Sequence, residues 1–184
     1  RSDHINHDVA RGFTDDDKKH TSTSFIQVFT HCPPLLIFTI SITLFHFANA
    51  AMLPMLGAQL AITDIKSSAL FMSVCIVIAQ ATMILMALFV GKKADLWGRK
   101  KIFLIAFIAL PIRGILYTLW HNPIYMVSIQ VLDGVGAGIF GAMFFIVIAD
   151  LTEGTGRFNV SQGAVLTIMG LGASFSTTFA GFIA

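Results

Sequence analysis

Charge is what this sequence has least of. Only 12% of its 184 residues are Asp, Glu, Lys or Arg, about half the share found in a soluble globular domain. The charge is also unevenly spread: nine of the 22 charged residues fall in the first 33 positions, and six more crowd into 92–101. A water-soluble core needs a polar surface to enclose it, so soluble enzymes and nucleic-acid binders are excluded. Cysteine is scarce as well. Cys32 lies at the edge of an apolar run and Cys75 inside one, which excludes a disulfide framework and leaves two free thiols. The polar first 33 residues and the long apolar runs behind them do not have the form of a cleavable signal peptide.

What fills the rest is apolar. The AVILMFWYC set makes up 55% of the chain and the mean hydropathy is +0.79. Five runs, 35–60, 68–90, 102–120, 124–149 and 163–184, hold 19 to 26 residues each. Roughly 20 residues, at 1.5 Å of rise apiece, cover the hydrocarbon of a bilayer. A membrane β-barrel would alternate apolar and polar residues, and stretches such as Ile102 to Leu110 do not. The expected fold is all-α, a polytopic transmembrane helix bundle. Pro54 and Gly57 punctuate the first run and predict a kink or an unwound turn there.

Basic residues give the orientation. Residues 1–33 and the loops 91–101 and 150–162 hold ten Lys and Arg between them, whereas loops 61–67 and 121–123 hold only Lys66. The basic side is expected in the cytoplasm, together with the N-terminus. Residues 1–33 are then a polar cytoplasmic linker, too poor in apolar side chains to fold alone and expected to be mobile. Residues 34–184 form the transmembrane part. The chain starts on Arg1 and stops on Ala184 within apolar sequence, and is expected to be a fragment of a longer protein.

The most specific local pattern is Gly91-Lys92-Lys93-Ala94-Asp95-Leu96-Trp97-Gly98-Arg99-Lys100-Lys101. Gly91 and Gly98 suit a sharp turn between two helix ends, and Asp95 is a lone carboxylate among cations, suited to an Arg partner or a helix N-terminus. A plain positive-inside loop would explain the cations but not the glycine spacing or the Asp. This loop resembles the signature of the major facilitator superfamily, G-x-x-x-D-R/K-x-G-R-R/K-R/K, departing from it only at Leu96. The fourth run adds Gln130-Val131-Leu132-Asp133-Gly134-Val135-Gly136-Ala137, similar to the family pattern R-x-x-Q-G-x-G-A with Gln130 for Arg and Asp133 for Gln.

The resemblance covers about 35–184 and implies helices seven to eleven of a twelve-helix transporter. It implies a cytoplasmic gating motif of Gly91, Asp95, Gly98, Arg99 and Lys100 with Asp150, in which Arg99 bridges to Asp150 when the cytoplasmic side is closed. Asp95 would face a helix of the absent half and lack its partner here. The resemblance also turns helices seven, eight and ten towards a central cavity, so His46, Asn49, Gln80, Gln130 and Asp133 become candidate cavity or coupling residues.

Polar groups inside spans are costly and so are functional candidates in their own right, with interhelical hydrogen bonding as the plainer use. Arg113 stands seven residues from Trp120, and Asp133 nine from Ile124. Both therefore sit roughly 10–14 Å below the same surface, and a buried ion pair between them is geometrically possible. Because the helix bearing Arg113 is peripheral in the family, a structural clamp is favoured over substrate contact. Gly134, Gly138 and Ala142, at four-residue steps, form a small-residue face for close helix packing, with a looser version at Gly163, Gly170, Ala173 and Gly181. Gly136 to Gly141 spells G-x-G-x-x-G, but inside an apolar span it lacks the strand that a nucleotide fingerprint requires. Tyr117, Trp120 and Tyr125 read as an interfacial belt.

The expected function is secondary active transport of a small solute by alternating access, with this fragment not competent by itself. Its partners are the lipid bilayer, the solute, and the missing N-terminal half and final helix of the same transporter; a membrane carboxylate such as Asp133 is compatible with protons as the coupling ion. No cofactor, metal or nucleic acid is expected. An intramembrane enzyme would need a Ser or paired-Asp motif or H-E-x-x-H, and none is present. The alternative is a truncated, non-transporting membrane protein with a scaffold or regulatory role. The location expected is multi-pass integral, in the cytoplasmic or plasma membrane.

Overall fold

A computed structural model describes residues 29–183 except 31, 64, 121 and 156. The linker expected over 1–33 therefore lies almost wholly outside the described residues. All regular structure among them is helical: α1 (Pro33–Asn49), α2 (Met52–Thr63), α3 (Ile65–Trp97), α4 (Arg99–Leu119), α5 (Pro123–Thr152) and α6 (Phe158–Ile183). These make five stretches long and apolar enough to cross a bilayer, with α1 and α2 forming one of them, Pro33–Ile62.

Local chemistry sets the helix ends. Pro33 and Pro123 open α1 and α5, where a missing N–H costs nothing. Asn122 caps α5 by accepting the Ile124 N–H at 2.9 Å. The first span is interrupted at Ala50–Ala51, ahead of Pro54 rather than at it. Proline lacks the N–H that would reach back four residues to the Ala50 carbonyl, which is where the interruption falls. Gly57 stays helical, and a Cβ there would meet Met72 Cε of α3 at 3.0 Å.

Gly91, expected at a sharp turn, makes none: α3 runs through it to Trp97, so the link to α4 is Gly98 alone. Nothing from Lys92 to Trp97 breaks a helix, whereas Gly98 has φ +82°, a conformation that only glycine adopts readily. At 33 residues, α3 is about 50 Å long and overshoots the hydrocarbon at its basic end.

α5 is the central helix. It packs along α3 on one side and α4 on the other, while α1 pairs with α6. The apolar core fills the half of the bundle nearest the 91–101 segment: Leu35, Ile42, Val90, Ile102, Met143 and Ile148 are buried around a stack of Phe45 on Phe140, centroids 3.9 Å apart. Phe103 and Phe107 meet the Phe140 ring edge-on. Thr39 bonds back to the Leu35 carbonyl at 2.7 Å and Thr82 to that of Ile78 at 2.9 Å, whereas the buried hydroxyls of Thr43 and Ser161 have no partner among the described residues. The other half of the bundle holds the polar groups.

Candidate functional site

At the end of the bundle away from the basic segment, three helices meet on one guanidinium. Arg113, about two-thirds of the way along α4, is 1% exposed. Its Nη1 donates to Asp133 Oδ1 of α5 and to Asn49 Oδ1 of α1, both at 2.5 Å. Asn49 Nδ2 in turn donates to the same carboxylate oxygen at 3.2 Å. On its other side the guanidinium donates through Nε and Nη2 to the Tyr117 hydroxyl, at 3.3 and 3.2 Å, and through Nη2 to Gln130 Oε1 at 3.4 Å. Gln130, fully buried, gives its own N–H to the Tyr117 hydroxyl at 2.7 Å and to the Met126 carbonyl at 3.2 Å. Every heavy atom of the guanidinium that can donate does so.

Sequence depth brings Arg113 and Asp133 to one level, and the fold turns them to face each other. Such a pair is expensive to bury unless its remaining donors and acceptors are satisfied, and here Asn49, Tyr117 and Gln130 do that. The interruption at Ala50–Ala51 follows directly after Asn49, so the cluster lies at the end of α1.

Not all the polar candidates come together. Asn49, Gln130 and Asp133 join Arg113. His46, one turn before Asn49, instead bonds through Nδ1 to the Ile42 carbonyl at 2.9 Å and lies edge-on to Phe140. Gln80 is exposed on α3 and takes no part. Tyr117 is the residue that sequence reasoning misplaced. Read as part of an interfacial belt, it braces the Arg113 guanidinium, and its four-residue step from Arg113 was the available signal. Trp120 and Tyr125 do pair at the helix ends, edge to face at 5.4 Å.

Small residues set how closely α5 approaches its neighbours. A Cβ on Gly134 would collide with Thr82 and lie 2.5 Å from the Ala79 carbonyl oxygen of α3; one on Gly138 would lie 2.9 Å from Met83 Cα. Ala142 is half-buried, beside the apolar core. On α6 the close approach is at Gly172, where a Cβ would lie 2.6 Å from Thr43 Cγ2, while Gly163, Gly170 and Gly181 face open space.

At the basic end, Arg99 opens α4 and reaches two carboxylates. Its Nη1 is 2.6 Å from Asp95 Oδ1, one turn back on α3, and its Nε is 2.9 Å from Asp150 Oδ2 at the end of α5. Asp95, expected to lack its partner from the absent half, pairs here with Arg99. Lys93 lies over the Trp97 ring, 5.9 Å from its centroid. Lys100 is exposed and makes no ion pair among the described residues. The Arg99 side chain is 32% exposed and that of Asp150 49%, so the bridge is screened. Asp150→Asn should change stability by no more than about 1 kcal/mol, as measured by thermal unfolding of the full-length protein in detergent.

Residues 38–184 match the Major Facilitator Superfamily. The chain belongs to that family. Two curated major facilitator proteins, from two strains of Mycobacterium tuberculosis, are each 48% identical to it over 182 residues, and each is described as an uncharacterised MFS-type transporter. The match takes in 98% of this chain and 44% of each relative, so the chain spans less than half the length of those major facilitator proteins. No solved structure gives a significant match. Family membership and five apolar spans make this an integral multi-pass membrane protein with a partial major facilitator helix bundle, and exclude the enzyme reading.

Proposed function

We propose that the chain is the C-terminal half, helices seven to eleven, of a secondary active transporter that moves a small solute by alternating access. The observation that carries this reading is the Arg99 bridge: the loop bearing the family signature ties α3, α4 and α5 together at one end of the bundle. Partly exposed and worth little energy, the bridge suits a gating latch at that end of the bundle better than a stability element. The rest of the cavity wall comes from the half and the final helix outside this sequence. The Arg113 cluster serves as a clamp within this half, holding α1, α4 and α5 as one body during the rocking.

The test is uptake of labelled sugars, amino acids and lipophilic compounds by the full-length protein in proteoliposomes, with a pH gradient imposed and then collapsed. Gradient-driven accumulation of one of them is expected; no accumulation under any gradient would leave the non-transporting reading.

The same proposal places the N-terminus and the segments 91–101 and 150–162 in the cytoplasm, on the ten-to-one asymmetry of basic residues. In a cysteine-free background, Lys92→Cys should react with an impermeant maleimide only from the cytoplasmic side. Asn122→Cys should react only from the other. Labelling of both from one side would overturn the orientation.

A further inference from the structure

Beside the Arg113 cluster lies a cavity of about 390 Å³, walled by Met52, Met55 and Leu56 of α2, by Met126 of α5 and by the Tyr117 ring. Its volume falls within the range of small-molecule pockets, which are mostly apolar with a few placed polar groups. No charged side chain lines it, and the guanidinium behind Tyr117 is neutralised by Asp133. Such a space rejects ions, because nothing in it repays their desolvation.

Two polar groups on its wall have capacity to spare. The Tyr117 hydroxyl receives N–H groups from Arg113 and Gln130 and donates to nothing among the described residues, so its own proton is unused. Neither neighbour offers it an acceptor: a guanidinium has none, and the Gln130 oxygen is turned to Arg113. Gln59, exposed on α2 three residues from the end of the span, lines the same cavity and forms no hydrogen bond among the described residues. The Tyr117 donor, half-buried in an apolar wall without an acceptor, is costly and marks where a ligand oxygen belongs. The three methionines, flexible and polarisable, adapt to varied shapes.

We infer that this cavity binds an uncharged lipophilic molecule carrying a hydrogen-bond-accepting oxygen, which takes the Tyr117 proton while its apolar body lies among the methionines. This names a substrate class for the transporter proposed above and rests on that reading for its transport consequence. The same chemistry is offered by the ester end of a membrane lipid. Either occupant would touch the tyrosine that braces Arg113, and so the junction of α1, α4 and α5.

The test uses the full-length protein in phosphatidylcholine nanodiscs, with empty nanodiscs as the blank. The probe is 6-propionyl-2-(dimethylamino)naphthalene, a neutral fluorescent ketone, alongside its propyl analogue that lacks the carbonyl. Saturable binding of the ketone is expected, without displacement by tetraphenylphosphonium cation. Met126→Trp, which fills the cavity, should abolish it. Tyr117→Phe should weaken the ketone about five- to ten-fold, the loss of one hydrogen bond, and leave the propyl analogue unchanged. A merely structural tyrosine would weaken both probes equally, and that result overturns the assignment, as does equal ketone binding by the wild type and both variants. Stoichiometric release of a tightly held phospholipid by the ketone would support the site with membrane lipid as its occupant. Ketone binding without transport of any solute would leave the site standing and remove the transporter reading; transport without cavity-dependent binding would do the reverse.

Discussion

Neutralising one member of the Arg113–Asp133 pair should destabilise the protein by about 3–5 kcal/mol, because the survivor becomes an uncompensated buried charge. Asp133→Asn leaves the guanidinium, only 1% exposed, with neutral acceptors alone. Arg113→Gln strands the carboxylate opposite Asn49. The double variant should recover much of the loss, since neutral amides at both positions can still bond to Asn49, Tyr117 and Gln130. Thermal unfolding of the full-length protein measures the cycle, and the interaction energy separates the pair from either residue alone. A coupling role makes a different forecast. Asp133→Asn would then abolish gradient-driven uptake at unchanged stability, and Arg113→Gln would not mimic it. The geometry favours the clamp, because one carboxylate oxygen is already shared by Arg113 and Asn49 from two other helices. Full stability and full transport in Asp133→Asn would exclude both roles.

The depth of this pair was legible in the sequence, because a helix converts residue number into distance along its axis. Counting from Trp120 and Ile124 puts Arg113 and Asp133 at one level without knowledge of their neighbours. Rotation about each axis was not legible in the same way. His46 and Asn49 share a helical face by spacing, yet a turn of helix separates an apolar aromatic setting from the ionic cluster, and the two residues fall on either side of that boundary. Gln80 has the polarity of a cavity residue, but Ala79 and Thr82 are the α3 residues that meet Gly134, which leaves Gln80 turned away. Tyr117 carries the ring of an interfacial anchor and the hydroxyl of a network member, and only tertiary contact decides between them. The helix end at Trp97 rather than Gly91 is a similar case: both glycines permit a turn, and the helix-compatible run between them lets α3 continue to the second.

The small-residue face of α5 was legible through its four-residue step, and it leads to the other large effect. Gly134→Val should prevent α3 and α5 from packing as observed, since even a single Cβ would lie 2.5 Å from a backbone oxygen, that of Ala79, and overlap the Thr82 side chain. A flexible side chain can move aside, whereas a carbonyl in a helix moves only with its helix. Membrane helices are held together by close van der Waals contact rather than by expulsion of water, so separating their backbones removes the main term that joins them. Gly138→Val acts one turn further on, against Met83 Cα and its carbonyl oxygen, both at 2.9 Å. Overpacking typically costs about 1–3 kcal/mol, and each of these variants should reach the upper end or beyond, because the obstruction is backbone. Gly141→Ala on the same helix provides the control: beyond its own helical turn, nothing among the described residues lies within 4 Å of the added methyl, and a helical Gly-to-Ala change gains up to about 1 kcal/mol from backbone entropy. Thermal unfolding of the full-length protein should therefore rank Gly141→Ala at or above the wild type, with Gly134→Val and Gly138→Val far below it. If Gly134→Val and Gly141→Ala prove equally stable, the α3–α5 contact is looser than this packing requires.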